Sequence, residues 1–82
     1  MDSLEMNFGR VLRRLRQEQG LSQEELGFRS GYHRTYISLL ERGRKSPSLR
    51  TIFQLAEVLG VNPSQMILSV QQLFKMSSRN YN

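Results

Sequence analysis

Five residues in the middle of the chain restrict its folding more than any others: Leu26 and Gly27, then Gly31, then Ile37 and Leu40. Gly27 and Gly31 are four residues apart, so the first is a small residue one helical turn before a break at the second. Ile37 and Leu40, three residues apart, mark the inward face of a second helix after that break. Two short helices crossing closely over a tight turn satisfy this pattern, because a small residue in the first lets the second approach and a glycine suits the turn. The start of the first helix is equally well marked. Ser22 followed three residues later by Glu25 is a capping box, in which each side chain satisfies a backbone donor of the other.

Apolar residues recur at three- and four-residue spacing almost throughout, with no alternating run of strand length, which predicts an all-α domain of five helices. The first is expected from about Asn7 to Gln19, capped by Asn7, with Phe8, Val11, Leu12 and Leu15 as its apolar stripe and Gly20 at its end. Arg10, Arg13 and Arg14 then face water. The second is expected from Gln23 to about Arg29, and the third from a cap at His33 to about Arg42, with Tyr36, Ile37 and Leu40 inward. After a polar loop broken by Pro47, Ser48 caps a fourth helix that directs Leu49, Ile52, Phe53, Ala56 and Leu59 to the core and closes at Gly60. Asn62 and Pro63 open a fifth, with Met66, Ile67, Val70, Leu73 and Phe74 at helical spacing. This divides the chain into a flexible tail over 1–6, one domain over 7–76 and a frayed tail over 77–82.

With 82 residues there is room for one compact domain. No cysteine is present, so disulfides and thiolate metal sites are excluded, and tight helix packing or a partner subunit must supply the stability that small scaffolds otherwise take from staples. The lack of cysteine fits a reducing cytoplasm, no apolar run approaches a membrane span, and the first six residues lack the pattern of a signal peptide. A formal charge of +5 suits a polyanionic partner. Its distribution is more informative than its sign. Between Arg34 and Arg50 lie Arg34, Arg42, Arg44, Lys45 and Arg50 against a single acid, Glu41, which makes this segment a candidate phosphate-contacting surface.

The stretch LSQEELGFRSGYHRTYISLLERGRKSPSLRTIFQLAEVLGV resembles the lambda-repressor-like helix-turn-helix domains, and HRTYIS followed by ERG is similar to the controller proteins of restriction-modification systems. The resemblance covers roughly Phe8 to Ile67. It implies a homodimeric transcriptional regulator that lays the third helix of each subunit into successive major grooves of a near-palindromic double-stranded DNA operator, with half-sites roughly 34 Å apart. By position in the motif, Arg34, Thr35 and Ser38 would face base edges, and Tyr36 the sugar-phosphate backbone or a thymine methyl. Gln23, His33, Arg42, Arg44, Lys45, Ser46, Ser48 and Arg50 would contact the DNA backbone. Arg16 and Glu41 would form a structural ion pair. The family more often has alanine where this chain has Gly27, and glycine costs a helix about 1 kcal/mol relative to alanine.

Enzymatic readings find little support. His33 has no second histidine, cysteine or acidic cluster around it for metal binding or catalysis, and Ser22 lacks an ordered His/Asp set, so no catalytic residue, metal or cofactor is expected. Glu24 and Glu25 are read as favouring the helix dipole in preference to a patch that touches RNA polymerase, a further partner that remains open at this point. The fifth-helix stripe of Met66, Ile67, Val70, Leu73 and Phe74 exceeds what a four-helix core needs, and a homodimer interface is expected there. The alternative is an antitoxin-like interaction protein whose carboxy-terminal helix binds a second protein, with DNA binding serving autoregulation.

Overall fold

The structure, a computed structural model, describes residues 2–79, with side chains described through Ser77. Its five helices are α1 (Leu4–Glu18), α2 (Gln23–Ser30), α3 (Arg34–Glu41), α4 (Leu49–Leu59) and α5 (Pro63–Arg79). Four of the starts are set by capping side chains. The hydroxyls of Ser3, Ser22 and Ser48 accept from the backbone N–H three residues on, and His33 accepts from Thr35 N, each satisfying a donor that has no partner inside its helix.

The amino terminus departs from the expected tail. Ser3, not Asn7, caps α1, and Asn7 lies buried inside the helix with its amide donating to the Ser3 carbonyl at 3.0 Å. Asp2 is also held, through an ion pair with Arg10 and a hydrogen bond from its backbone N–H to Ser77 Oγ at 3.0 Å. Ser77 therefore belongs to an ordered contact at the other end of the chain, and α5 continues through residues expected to fray; Asn80–Asn82 lie outside the described residues.

α3 packs on α1 and α2, α5 on α1 and α4, and α2 on α4. Every helix contributes to one core: Phe8, Val11 and Leu12 from α1, Leu26 from α2, Ile37 and Leu40 from α3, Leu55, Ala56 and Leu59 from α4, and Met66 and Val70 from α5. Truncating a fully buried leucine such as Leu12 or Leu55 to alanine should cost about 2–5 kcal/mol. The closest approach is at Gly9, where a Cβ would run into the Glu41 carbonyl oxygen and lie 2.6 Å from that of Leu40, so α1 and the end of α3 touch through backbone.

α4 is rotated relative to the expected reading. Its buried residues are Thr51, Leu55, Ala56 and Leu59, whereas Leu49 and Phe53 are 72% and 55% exposed. Two residues on a helix differ by about 200°, so Phe53 must face away from a core that holds both Thr51 and Leu55. The apolar stripe of α5 is divided in the same way. Met66 and Val70 are buried in the core, Leu73 and Phe74 are half-buried, and Ile67 is exposed beside Leu68.

Candidate nucleic-acid interface

α2, the turn and α3 form a helix-turn-helix whose geometry follows from a few residues. The Ser22–Glu25 capping box is present in both directions, at 3.0 and 2.9 Å. It holds the Glu25 carboxyl below its usual range, first through the Ser22 backbone N–H and then through the Ser22 hydroxyl. Gly31 ends α2 with φ 84°, and Tyr32 N donates back to the Gly27 carbonyl at 2.7 Å. A Cβ at Gly27 would lie 2.6 Å from the Tyr32 carbonyl oxygen, which accounts for glycine where the family more often has alanine: the turn here crosses directly over α2.

α3 buries Ile37 and Leu40 completely and leaves Arg34 and Thr35 exposed, with Tyr36 and Ser38 half-buried. His33 caps this helix through Nδ1, which accepts from Thr35 N at 3.0 Å, so a neutral ring carries its proton on Nε2 as a free donor. Arg34 is paired with Glu24 of α2 at 3.3 Å, an exposed contact of low strength. Among the described residues, Arg42, Arg44, Lys45 and Arg50 have no carboxylate within salt-bridge distance. These four cations follow α3 through its carboxy-terminal cap, the loop and the first turn of α4.

Two of the expected backbone contacts carry other duties. Gln23 donates to Glu41 Oε1 at 3.1 Å, leaving its second amide proton available. Ser48 donates its hydroxyl proton to Thr51 Oγ1 and accepts from Thr51 N, both at 3.0 Å, so that hydroxyl cannot also donate to a phosphate without giving up a bond. Ser46 is exposed. Arg16 and Glu41 form a bidentate pair, Nε to Oε2 at 2.6 Å and an Nη to Oε1 at 3.0 Å, while Arg16 also donates to the Leu21 carbonyl at 2.8 Å. Their side chains are only 12% and 3% exposed, and hydrogen bonding to Glu41 raises the Arg16 pKa further. The pair ties α1 to the end of α3 and, through Gln23, to the start of α2.

A family description for the helix-turn-helix matches residues 12–66. An uncharacterized HTH-type transcriptional regulator, y4dJ, from Sinorhizobium fredii is 48% identical over 54 residues, covering 66% of this chain and 70% of that protein. Among solved structures, the restriction-modification controller protein C.AhdI from Aeromonas hydrophila is 44% identical, with a TM-score of 0.74 over 76% of this chain and 94% of that one. The clp gene regulator ClgR from Corynebacterium glutamicum is 25% identical, with a TM-score of 0.90 over 98% and 85%. The chain belongs to the helix-turn-helix family of transcriptional regulators.

Members of this family are regulators, not enzymes, and among the described residues no cluster of His, Asp or Glu could hold a metal ion. No described helix is long and apolar enough to cross a membrane. In this helix-turn-helix protein the Tyr32 hydroxyl joins the turn to α4 through Thr51 and Gln54, a link of which hydrophobic spacing gave no sign. The three-residue step from Ser48 to Thr51 was a visible capping signal for the start of α4, but Tyr32 on the turn lies 19 and 22 residues from its two partners there, Thr51 and Gln54.

Proposed function

We propose that this chain binds a near-palindromic operator in double-stranded DNA as a homodimer, with α3 of each subunit in the major groove, and thereby regulates transcription. The observation that carries the proposal is the division of α3. Ile37 and Leu40 anchor it in the core while Arg34, Thr35 and Ser38 remain accessible, and it is followed in sequence by four cations that have no carboxylate partner among the described residues. In this reading Arg34 takes a guanine through O6 and N7, a bidentate contact that contributes about 1–3 kcal/mol of discrimination. Thr35, Ser38 and the accessible edge of Tyr36 complete the base-facing set. Arg42, Arg44, Lys45, Arg50, Ser46, the free Nε2–H of His33 and the second amide proton of Gln23 bind backbone phosphates; at Ser48 the backbone around the capped helix start takes that role in place of its hydroxyl.

The dimer contact is assigned to the exposed apolar side chains Leu49, Phe53, Ile67 and Leu68, with half-buried Leu73 and Phe74 at its edge. Met66 and Val70 are withdrawn from it, since the core of each subunit already buries them. A two-fold pairing of this surface matches a two-fold operator. RNA polymerase is a further proposed partner only through Glu24, because Glu25 is engaged in its cap.

Selection of bound sequences from random duplex DNA tests the proposal, together with sedimentation at micromolar concentration. A palindromic consensus bound by a dimer supports it, and Arg34→Ala should then lose discrimination more than general affinity. Salt-sensitive binding without any consensus refutes it and moves the antitoxin-like reading forward, for which a tightly co-purifying heterologous protein is the positive sign.

A further inference from the structure

Four hydroxyl groups meet where the turn, α3 and the start of α4 come together. Thr51 is at their centre, a buried residue whose Oγ1 lies 2.8 Å from the Tyr32 hydroxyl, 3.0 Å from Ser48 Oγ and 3.4 Å from the Tyr36 hydroxyl. Each hydroxyl has one proton, and the surrounding acceptors decide where each one goes. Tyr32 donates to Gln54 Oε1, which can only accept. Ser48 donates to Thr51. The Thr51 proton is then the one that must serve the Tyr32 oxygen, and the remaining lone pair of Thr51 receives Tyr36 through the longest and weakest of the three contacts. Thr51 thus has its one donor and both acceptor sites in use.

The placement of this centre gives it a consequence for recognition. α3 packs on α1 and α2, whereas α4 packs on α2 and α5, so neither helix is aligned on the other by a broad shared face. The Tyr32 and Tyr36 rings, 5.0 Å apart at 46°, bring the turn and α3 to a single polar point on α4. Ser48, which caps α4, is bonded to the same Thr51 oxygen.

We propose that Thr51 is a positioning residue for DNA recognition: its hydroxyl fixes α3 against the amino terminus of α4 so that base-facing and phosphate-facing groups engage one duplex in a single register. The inference rests on the DNA-binding reading above. Base contacts tolerate only about 0.5 Å of misplacement, whereas charge contacts to phosphates are forgiving of geometry. Loss of the Thr51 hydroxyl should therefore impair specific binding selectively.

The test compares wild type, Thr51→Val, Thr51→Ser and Tyr32→Phe on two probes at one salt concentration: the duplex most enriched by wild type from random DNA, and a scrambled duplex of the same composition. Valine keeps the shape and removes the hydroxyl; serine keeps the hydroxyl; circular dichroism melting reports folding of each variant. Thr51→Val is expected to bind the enriched duplex about tenfold more weakly, in line with loss of a part-buried hydrogen bond. Binding to the scrambled duplex should change less than about twofold, since phosphate contacts remain. Thr51→Ser should restore discrimination, and Tyr32→Phe, which removes one arm of the centre, should reproduce the selective loss should the valine variant fail to fold. An unchanged ratio between the two probes in a folded variant overturns the inference, as does an equal loss on both, or a serine variant that behaves like valine. If wild type itself enriches no sequence, the DNA-binding reading fails and takes this inference with it, a result distinct from wild-type discrimination that survives without the hydroxyl.

Discussion

Replacing Glu41 with alanine should destabilise the protein by about 3 kcal/mol, and replacing Arg16 with alanine by more, near the upper end of the roughly 3–5 kcal/mol typical when one member of a buried pair is removed. The difference follows from what each variant leaves behind. Without Glu41, the Arg16 guanidinium loses two hydrogen bonds but keeps the Leu21 carbonyl, and its long side chain, already 12% exposed, can relax toward water. Without Arg16, the Glu41 carboxylate, 3% exposed, is left with the neutral amide of Gln23. For a domain of this size about 1 kcal/mol corresponds to about 4–8 °C in melting temperature, so Glu41→Ala should melt about 12–24 °C below wild type. Circular dichroism melts at fixed protein concentration measure this, concentration being held because a dimer couples association to stability. The double variant Arg16→Met/Glu41→Leu should recover much of the loss, since an apolar replacement removes both desolvation costs. Single variants within about 1 kcal/mol of wild type would refute the reasoning and show the pair behaving as a solvated surface contact.

Gly9→Ala should destabilise by about 2–3 kcal/mol in thermal melts despite the better helix propensity of alanine, because the added Cβ meets the Glu41 and Leu40 carbonyls and α1 must lift from α3. The capping box makes α2 pH-sensitive: with the Glu25 carboxyl held below its ordinary value, its contribution is present above about pH 4.5 and fades as pH falls through the lowered value. Melts from about pH 6 to about pH 3 should therefore show wild type losing more stability than Glu25→Gln, and parallel curves would contradict this. Glu24→Gln should leave stability within about 0.5 kcal/mol, as its pair with Arg34 is exposed, yet strengthen binding to the enriched duplex by up to about threefold at low salt, measured by fluorescence anisotropy.

How much of this molecule was readable in advance depended on whether a feature is local. The capping box at Ser22 and Glu25, the break at Gly31, the cap at Ser48 and the inward Ile37 and Leu40 all rest on residues within a turn or two of one another, and all are present. Asn7 misled because it is a good cap residue next to a strong apolar stripe; only the packing of α1 places it in the interior and gives the role to Ser3. Leu49 and Phe53 misled because an apolar residue counts toward a core stripe in any periodicity reading, whether or not a neighbour covers it. The core chose the phase containing a threonine, a polar residue that hydrophobic spacing discounts. Gly9 gave no signal at all, since its use depends on the Leu40 and Glu41 carbonyls, 31 and 32 positions along the chain.

The threonine choice in α4 also explains why exposing two large apolar residues is tolerable. Turning Phe53 inward would turn Thr51 away from Tyr32 and Ser48 and break the part-buried hydroxyl contacts that now join the turn to α4, each contributing about 0.5–1.5 kcal/mol. None of the buried side-chain polar atoms among the described residues is without a partner in the present phase. In the proposed dimer the same rotation has a second effect. One end of α4 carries both Thr51, bonded to the turn and reaching Tyr36, and Leu49 and Phe53, assigned to the contact with the partner subunit. A rigid helix about one turn long between those groups would transmit the subunit separation to α3, and with it the spacing between operator half-sites. Substituting Phe53 with alanine should thus weaken dimerisation and operator binding together while leaving the monomer's melting temperature little changed, because a side chain 55% exposed contributes little to its own subunit's core. Sedimentation equilibrium and the enriched-duplex assay on that variant decide it: a dimer of undiminished affinity would place the subunit contact elsewhere on the protein.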